Sequence, residues 1–487
     1  MIELGLQRIT RLLAKTPLPW RVIHVAGTNG KGSVCVYVSG MLDAYNKSTQ
    51  RTRSELAPIK HARFTSPHLI DRWDCISINQ ETVTSKLFHE VEKRVLARNE
   101  AEKIEASEFE LLTATAFEIF TQENVDIGVI EVGMGGRLDA TNVLGQPLET
   151  TSSSQDVVRA APLVTAVASI GLDHQAFLGN TLAEIAREKA GILKHGVPAV
   201  FAQSNDAEVL AVLEAVATEV KAKPMSLADL RLPVDNSLQA DISRVLGDGE
   251  LGSITNAGVS ANPVPAHTRQ NATLAFQSVW QALQQLGRVP AECTIVSEED
   301  QQPVSELIHS LLAVPSFASF PGRLQSLDIS NLTGRQEPIL LDGAHNAQSA
   351  TVLAEAVLKL RQSINGDMTS LSPVSWVLAA SDTKDIASIL ALLLLPGDSA
   401  FAVEFGPVDG MPWVRAMDGD KVLKAARQVI GGELKTIGNH GKDVVEGLTA
   451  ACEAANGGPL VVAGSLYLVG SVLKALREAE MGTNGSS

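Results

Sequence analysis

Val22-Ile23-His24-Val25-Ala26-Gly27-Thr28-Asn29-Gly30-Lys31-Gly32-Ser33-Val34 is the stretch on which the reading of the fold depends. It opens as a short run rich in β-branched residues and breaks at three closely spaced glycines. Beyond Ser33, the spacing of Val34, Val36, Val38, Met41 and Leu42 predicts a buried helix. Strand, loop and helix in that order bring backbone N–H groups and the positive end of a helix into one cup, to which Lys31 adds a full charge. Such a cup suits phosphate, and Ser33 stands where a hydroxyl can reach a phosphate-bound Mg²⁺, as in P-loop proteins. The spacing departs from the strict Walker pattern, because Gly32 follows the lysine directly and Val25 holds the early glycine position. The plainer alternative is a glycine-rich turn without a ligand.

The rest of the composition narrows the class. A chain of 487 residues exceeds one ordinary core, so at least two domains are expected. Apolar residues make up 45%, as in a globular protein, and the formal charge of −15 disfavours nucleic acid or an anionic membrane as partner. Cys35, Cys75, Cys293 and Cys452 are scattered, with no Cys-x-x-Cys pair and no disulfide framework, which fits a reducing compartment. The opening residues run straight into helical periodicity without a signal-peptide core, and no apolar run is long enough to span a bilayer. A soluble cytoplasmic protein is expected.

Taken in order, the chain offers two more strand ends of the same kind. Residues 46–62 are polar and without period, and read as a surface excursion; Ser66-Pro67-His68-Leu69 follows. Helices are predicted over 85–101 and 107–121, the second with Ser107 and Glu110 spaced as a capping box. Residues 126–132 form a buried strand run ending in Glu131 and a glycine-rich turn to Asp139. Residues 163–170 form a third, leading to Gly171-Leu172-Asp173-His174. In open α/β sheets ligands lie beyond the carboxyl ends of strands, so Lys31, Glu131 and His174 should converge on one edge. A structural histidine and a capping glutamate are the alternatives for the latter two. Residues 145–160 read as a flexible insertion, and 201–260 carry little signal. After a helix from 267 and another over 304–312, strand and helix alternate again from 338 to the end, with Asp342-Gly343-Ala344-His345-Asn346 closing the first strand. The fold class is therefore α/β: a P-loop-type ATPase domain with a mainly parallel sheet over 1–315, and a smaller Rossmann-like α/β domain over 316–487.

Gly27 to Ser33, Ser66 to Leu69, Glu131 to Asn142, Gly171 to His174, Glu188-Lys189-Ala190-Gly191-Ile192, Phe320 to Arg323 and Leu341 to Asn346 occur in one order. That set resembles the folylpolyglutamate synthase and dihydrofolate synthase family of the Mur-ligase superfamily. The resemblance implies an ATP-dependent amide ligase in which a substrate carboxylate is phosphorylated and the amine of L-glutamate attacks the acyl phosphate. It further implies that Gly27, Thr28, Asn29, Gly30, Lys31, Gly32 and Ser33 cradle the phosphates of ATP. Ser66, Glu131 and His174 would ligate Mg²⁺, and Lys189, as a carbamate, would help hold a second ion. An ordinary reading makes Lys189 a helix-surface ammonium. Asn271, Arg323 and Asp342 match nucleotide positions, and His345 a residue near the transferring phosphoryl group. Glu3 and Leu4, Ser107, Glu108, Phe109 and Glu110, and Leu138, Asp139 and Ala140 match pterin contacts. The C-terminal domain is expected to close over ATP and pterin, excluding water from the acyl phosphate.

His267-Thr268 departs from the family's more frequent His-Gln, and the insertions at 46–62 and 145–160 lie near motif edges. The phosphate loop with Asn29 resembles the bacterial and fungal dihydrofolate synthase form and the segment 407–414 looks like fungal dihydrofolate synthases, which favours 7,8-dihydropteroate as the substrate. A folylpolyglutamate synthase acting on a reduced folate, a bifunctional enzyme, and a nucleotide-binding module without ligase activity are the alternatives. Small-molecule substrates, no nucleic acid, no membrane and a monomer complete the expectation.

Overall fold

In the computed structural model, residues 5–145, 159–226, 232, 252–255, 258–263, 265–290, 298–318, 320–363, 371–431 and 433–484 are described. They fall into two compact units, Met1–Ser66 with Trp73–Ala318, and Pro67–Arg72 with Ser319–Ser487. That residues 67–72 belong with the second unit was not legible in the sequence.

The first unit is built on an eight-stranded sheet. From edge to edge the strands are Glu81–Thr82, Ile76–Ile78, His61–Phe64, Ile127–Glu131, Arg21–Ala26, Val164–Val167, Pro198–Phe201 and Lys223–Met225. The six from His61–Phe64 onward pair in parallel, and the first two add as antiparallel strands. Parallel strands covered on both faces need apolar side chains on both, which is why Ile127–Glu131 is buried at every position and reads as a continuous run. On one face Trp20 packs edge-on against Phe117 and Phe120, with ring centroids 5.2 and 5.4 Å away. A Cβ on Gly128 would lie 2.7 Å from that indole, so the glycine makes room for it. Ala26, Val167, Phe201, Ile185 and Leu213 form another buried cluster.

The helices begin where their caps dictate. Ser107 accepts from the Glu110 amide while the Glu110 carboxylate accepts from Ser107, and Thr181 and Glu184 do the same for the helix Leu182–Ala190. The helix Ser85–Ala101 starts on Thr84. The surface excursion expected over 46–62 lies largely at the surface and carries structure of its own. The helix Lys31–Lys47 reaches it, Thr49–Arg53 adds a short helix capped by Ser48, and Asn46 brackets Ile59 by donating to its carbonyl and accepting from its amide. Polar side chains bonding locally to backbone replace the apolar period that would have announced these elements. In the weakly read region, Pro198–Phe201, Ala207–Val220 and Lys223–Met225 continue the strand-helix-strand pattern. The insertion at 145–160 lies almost wholly outside the described residues.

The second unit is a six-stranded sheet, in the order Gln325–Leu327, Ile339–Leu341, Leu460–Ala463, Ser375–Leu378, Ser399–Ala402, Ile437–Asn439. Only the first strand is antiparallel. Gln325–Leu327 and Ile437–Asn439 are edge strands of three residues with exposed positions, too short to stand out in the sequence. Just before the strand Ser399–Ala402, Asp398 is fully buried and accepts from Arg361 Nη1 and Nη2, at 2.7 and 2.6 Å, from Trp376 Nε1 at 2.9 Å, and from the amides of Val374 and Leu395. Among the described residues no helix is long and apolar enough to cross a membrane.

Candidate active site

Parallel register sets the first cluster. Val25 lies opposite both Glu131 and Ala166, so the strands that end in the glycine loop, in Glu131 and before His174 are immediate neighbours. The helix Lys31–Lys47 starts at Gly30, whose φ of 85° is left-handed and which supplies no side-chain cap. A Cβ there would collide with the Asn271 side-chain oxygen, so the bare glycine lets Asn271, on the helix Ala266–Gln285, approach the loop in its present rotamer. The amides of Thr28 and Asn29 donate to the Ser169 carbonyl at 2.7 and 3.1 Å, and Thr28 Oγ1 lies 3.0 Å from both the carbonyl and the amide of Gly171. The loop is thus fastened to the turn that carries Asp173 and His174.

Charge is concentrated at this loop. Lys31 Nζ donates to the Thr28 carbonyl at 3.2 Å and lies 3.9 Å from Glu131 Oε1, while Glu131 Oε2 accepts from the Ser66 amide at 3.2 Å. Glu131 is 5% exposed, so these partners meet a desolvated carboxylate. His174 has a left-handed φ of 53°, and its exposed imidazole stands 4.0 Å from the half-buried Asp173 carboxylate. Lys189 is not a surface ammonium. It is 4% exposed, and Nζ donates to the Gly27 carbonyl at 2.8 Å. Burial, then the Lys31 charge, lowers its pKa to about 7, partly opposed by Asp173 and Asp139. Asp173, to which the sequence reading gave no role, acts on Lys189 from the position just before His174.

Of the pterin positions, Glu3 and Leu4 lie outside the described residues. Ser107 and Glu110 form their capping box, and Glu110 Oε2 also accepts from Arg8 Nε at 2.9 Å, while buried Oε1 has no hydrogen-bond partner. Glu108 follows Ser107 as the first residue of the helix. The Phe109 ring stacks on Phe64 at 6.2 Å and fills the space a Cβ on Gly133 would need. Asp139 is 3% exposed, between half-buried Leu138 and buried Ala140. Its Oδ1 accepts from the Thr141 amide and hydroxyl at 3.0 and 2.6 Å, and Oδ2 from the Met134 amide at 2.8 Å. Burial raises its pKa, and these donors pull against that rise.

The second unit has its own cluster. Leu341 ends a strand beside Val462, and Asp342 beyond it accepts from the amides of Leu324 and Ala344 at 2.7 and 2.8 Å. Burial pushes its carboxyl up and Arg323 holds it down. The exposed Arg323 guanidinium carbon stands 5.8 Å from the Phe320 ring centroid, and Nη1 occupies the space over Gly343. His345 Nδ1 is 2.8 Å from the Gly343 carbonyl. Arg323, Asp342 and His345 therefore share one loop pair.

A family model for the C-terminal domain of dihydrofolate synthetase matches residues 325–475. Over 483 residues the chain is 34% identical to a probable dihydrofolate synthetase of Schizosaccharomyces pombe, covering 98% of this chain and 99% of that protein. The chain belongs to the dihydrofolate synthetase and folylpolyglutamate synthase family. The dihydrofolate synthetase of Saccharomyces cerevisiae is 32% identical, with 97% and 98% of the two chains covered. In fold, the folylpolyglutamate synthase of Mycobacterium tuberculosis, solved with ADP and AMPPCP, matches with a TM-score of 0.68 at 24% identity over 97% of this chain and 95% of that one.

For a chain of this family the donor set around Glu131 fits Mg²⁺. It offers a desolvated carboxylate bonded by the Ser66 amide, and His174 lies in the turn beyond the neighbouring strand Val164–Val167: a hard carboxylate oxygen and a borderline imidazole rather than thiolates. Among the described residues no three His, Cys, Asp or Glu side chains gather as a complete metal cage. Mg²⁺ bound with substrate phosphates calls for one or two protein carboxylates only.

Proposed function

We propose that this chain joins L-glutamate to 7,8-dihydropteroate with ATP as phosphoryl donor. The similarity to two fungal dihydrofolate synthetases over nearly the full length of all three chains carries that reading. ATP with Mg²⁺ would convert the unreactive pterin carboxylate to an acyl phosphate. The glutamate amine then forms the C–N bond as the C–O bond to phosphate breaks, and the amine gives up a proton.

The residues of this chain supply position and charge. The uncapped N-terminus of Lys31–Lys47 and the Lys31 ammonium would face phosphate oxygens, with Gly27, Thr28, Asn29, Gly30, Gly32 and Ser33 shaping the loop. Asn271 would meet the nucleotide where it already crowds Gly30. Ser66, Glu131 and His174 would hold Mg²⁺. The Lys189 amine, neutral in part near pH 7 because it is buried, can take up carbon dioxide as a carbamate and so present an anion to a second ion. Arg323 and His345 would neutralise and orient the transferring group, and Asp342 would bind ribose or base. Ser107, Glu108, Phe109 and Glu110, together with Leu138, Asp139 and Ala140, would hold the pterin, the unpartnered Glu110 Oε1 being an acceptor in wait for a ring N–H. ATP and pterin recognition would fall to residues 1–315 and glutamate ligation to 316–487, in a cytoplasmic monomer.

Phosphate release with ATP and L-glutamate, measured with dihydropteroate and then with tetrahydrofolate, tests this. Turnover with dihydropteroate is expected. Turnover with tetrahydrofolate alone overturns the substrate, and none with either leaves a nucleotide-binding module.

A further inference from the structure

His24 lies in the strand Arg21–Ala26, three residues before the phosphate loop, and is completely buried. Its Nε2 is 2.9 Å from Thr141 Oγ1, across 117 residues of sequence. That hydroxyl is itself 2.6 Å from Asp139 Oδ1. Asp139 also accepts the amides of Thr141 and Met134, so three donors converge on a carboxylate with no donor of its own when ionised. With Asp139 ionised, the one hydroxyl proton of Thr141 points at it, and the hydroxyl oxygen has a lone pair left for His24. A donor is required on the histidine side, which fixes the proton on Nε2 and leaves Nδ1 as a bare acceptor. Buried Nδ1 has no hydrogen-bond partner, as a deprotonated ring nitrogen in an apolar setting tolerates better than an N–H would.

The loop that this chain of bonds fixes is also clamped from the other side. Asn142 Nδ2 donates to the carbonyls of Arg137 and Gly191, both at 3.0 Å, and Lys194 Nζ donates to Asn142 Oδ1 at 2.6 Å. A Cβ on Gly136 would lie 2.7 Å from the Lys189 carbonyl. Residues 134–142 are thus pinned to the helix that carries Lys189 by Asn142 and Gly136, and to the strand that feeds the phosphate loop by the His24 side chain.

We propose that His24 is a positioning residue for the pterin substrate: as a neutral Nε2–H imidazole it orients the Thr141 hydroxyl onto Asp139 and so sets residues 138–140. The proposal rests on the assignment of Leu138, Asp139 and Ala140 to the pterin. It goes beyond that assignment in tying the loop to a side chain that touches neither ATP nor pterin. Burial, then the nearby Lys194 charge, press in the same direction and take the His24 pKa to about 3. The ring stays uncharged throughout the working pH range.

Two measurements on the full chain test it. In ¹⁵N-histidine NMR of the wild type, His24 should show a protonated Nε2 and a bare Nδ1, with shifts constant from pH 6 to 8. A protonated Nδ1, or a titration near pH 6.5, overturns the proposal whatever the substrate is. In kinetics, His24→Leu should raise KM for the pteridine that the enzyme turns over about tenfold, the effect of one lost hydrogen bond, with KM for ATP within about twofold. His24→Gln, whose amide N–H reaches near the Nε2 position, should restore most of the loss. Equal rises in both KM values, or no rescue by glutamine, reduce His24 to a packing residue. The NMR tautomer as proposed with no change in pteridine KM instead locates the pterin away from residues 138–140 and overturns the positioning role.

Discussion

Lys189 Nζ and the carbonyl oxygen of Gly27 are 2.8 Å apart, 162 residues distant in sequence. The contact joins the first residue of the phosphate loop to the buried end of the helix Leu182–Ala190. It takes one hydrogen of the amine and leaves its charge to be settled by burial, by Lys31 and by two carboxylates. If that amine is the one that takes up carbon dioxide, Lys189→Ala should lower ligation at least about a thousandfold, the scale of losing a metal-borne charge at the reacting phosphate. Thermal unfolding should be unchanged or slightly higher, since a costly buried amine is gone. Phosphate-release rates and a melting curve check both halves, and near-normal turnover in the variant removes the carbamate from the mechanism.

The same lysine should leave a mark on stability. With a pKa of about 7 folded and 10.5 as the ordinary value, the folded state releases a proton between those limits that the unfolded chain still holds. Stability should therefore rise with pH in that window, by on the order of 1 kcal/mol per unit at most, and the group should contribute no slope below it. Urea unfolding of the wild type and of Lys189→Met in carbon-dioxide-free buffer from pH 7 to 9.5 reads the difference. Parallel curves for the two proteins would contradict the lowered pKa.

Glu131 is the carboxylate on which the metal reading turns, because Ser66 and Lys31 both address it. Glu131→Gln keeps an oxygen for the Ser66 amide but removes the charge, so the fold should survive and the Mg²⁺ needed for half-maximal rate should rise more than about tenfold. Titrating activity with Mg²⁺ at saturating ATP measures this. An unshifted titration would make Glu131 the plain partner of Lys31.

How much of this was visible beforehand depends on the physics each residue relies on. The strands that lead to Lys31, Glu131 and His174 were legible because parallel strands buried on both faces write continuous apolar runs, and the registers make these three strands neighbours. The capping box at Ser107 and Glu110 was legible because its chemistry is local. Lys189 was marked by the family resemblance but not by its own pattern, since a lysine near the end of an amphipathic helix looks solvated until tertiary packing shows what covers it. His24 was hidden for a similar reason: its partner, Thr141, is far away in sequence. Residues 46–62 did not announce their short helix because side-chain bonds to backbone, from Asn46 and Ser48, order a surface segment with no hydrophobic period.

Arg361 and Asp398 offer a test in the second unit that is separate from catalysis. Asp398 is 0% exposed and takes five donors, so Asp398→Ala leaves a guanidinium, an indole N–H and two amides buried without their acceptor. Breaking a buried pair in this way costs about 3–5 kcal/mol. The unfolding transition that reports Trp376 fluorescence should move to lower urea accordingly. A loss below about 1 kcal/mol would mean that water enters and replaces the carboxylate.

Gly30 separates two ways in which a side chain could damage the phosphate loop. Alanine there meets a left-handed φ of 85°, which costs about 1–2 kcal/mol, and its methyl runs into the Asn271 side-chain oxygen. The amide end of Asn271 can swing aside, whereas the backbone of the loop cannot change hand without displacing the start of the helix Lys31–Lys47. Gly30→Ala should therefore lower kcat/KM for ATP by about ten- to a hundredfold, and Gly30→Ala with Asn271→Ala should recover only the part owed to the collision. Full recovery in the double variant would show that the clash, and not the conformation of residue 30, limits the loop. No loss in the single variant would mean that the helix N-terminus does not meet phosphate at all.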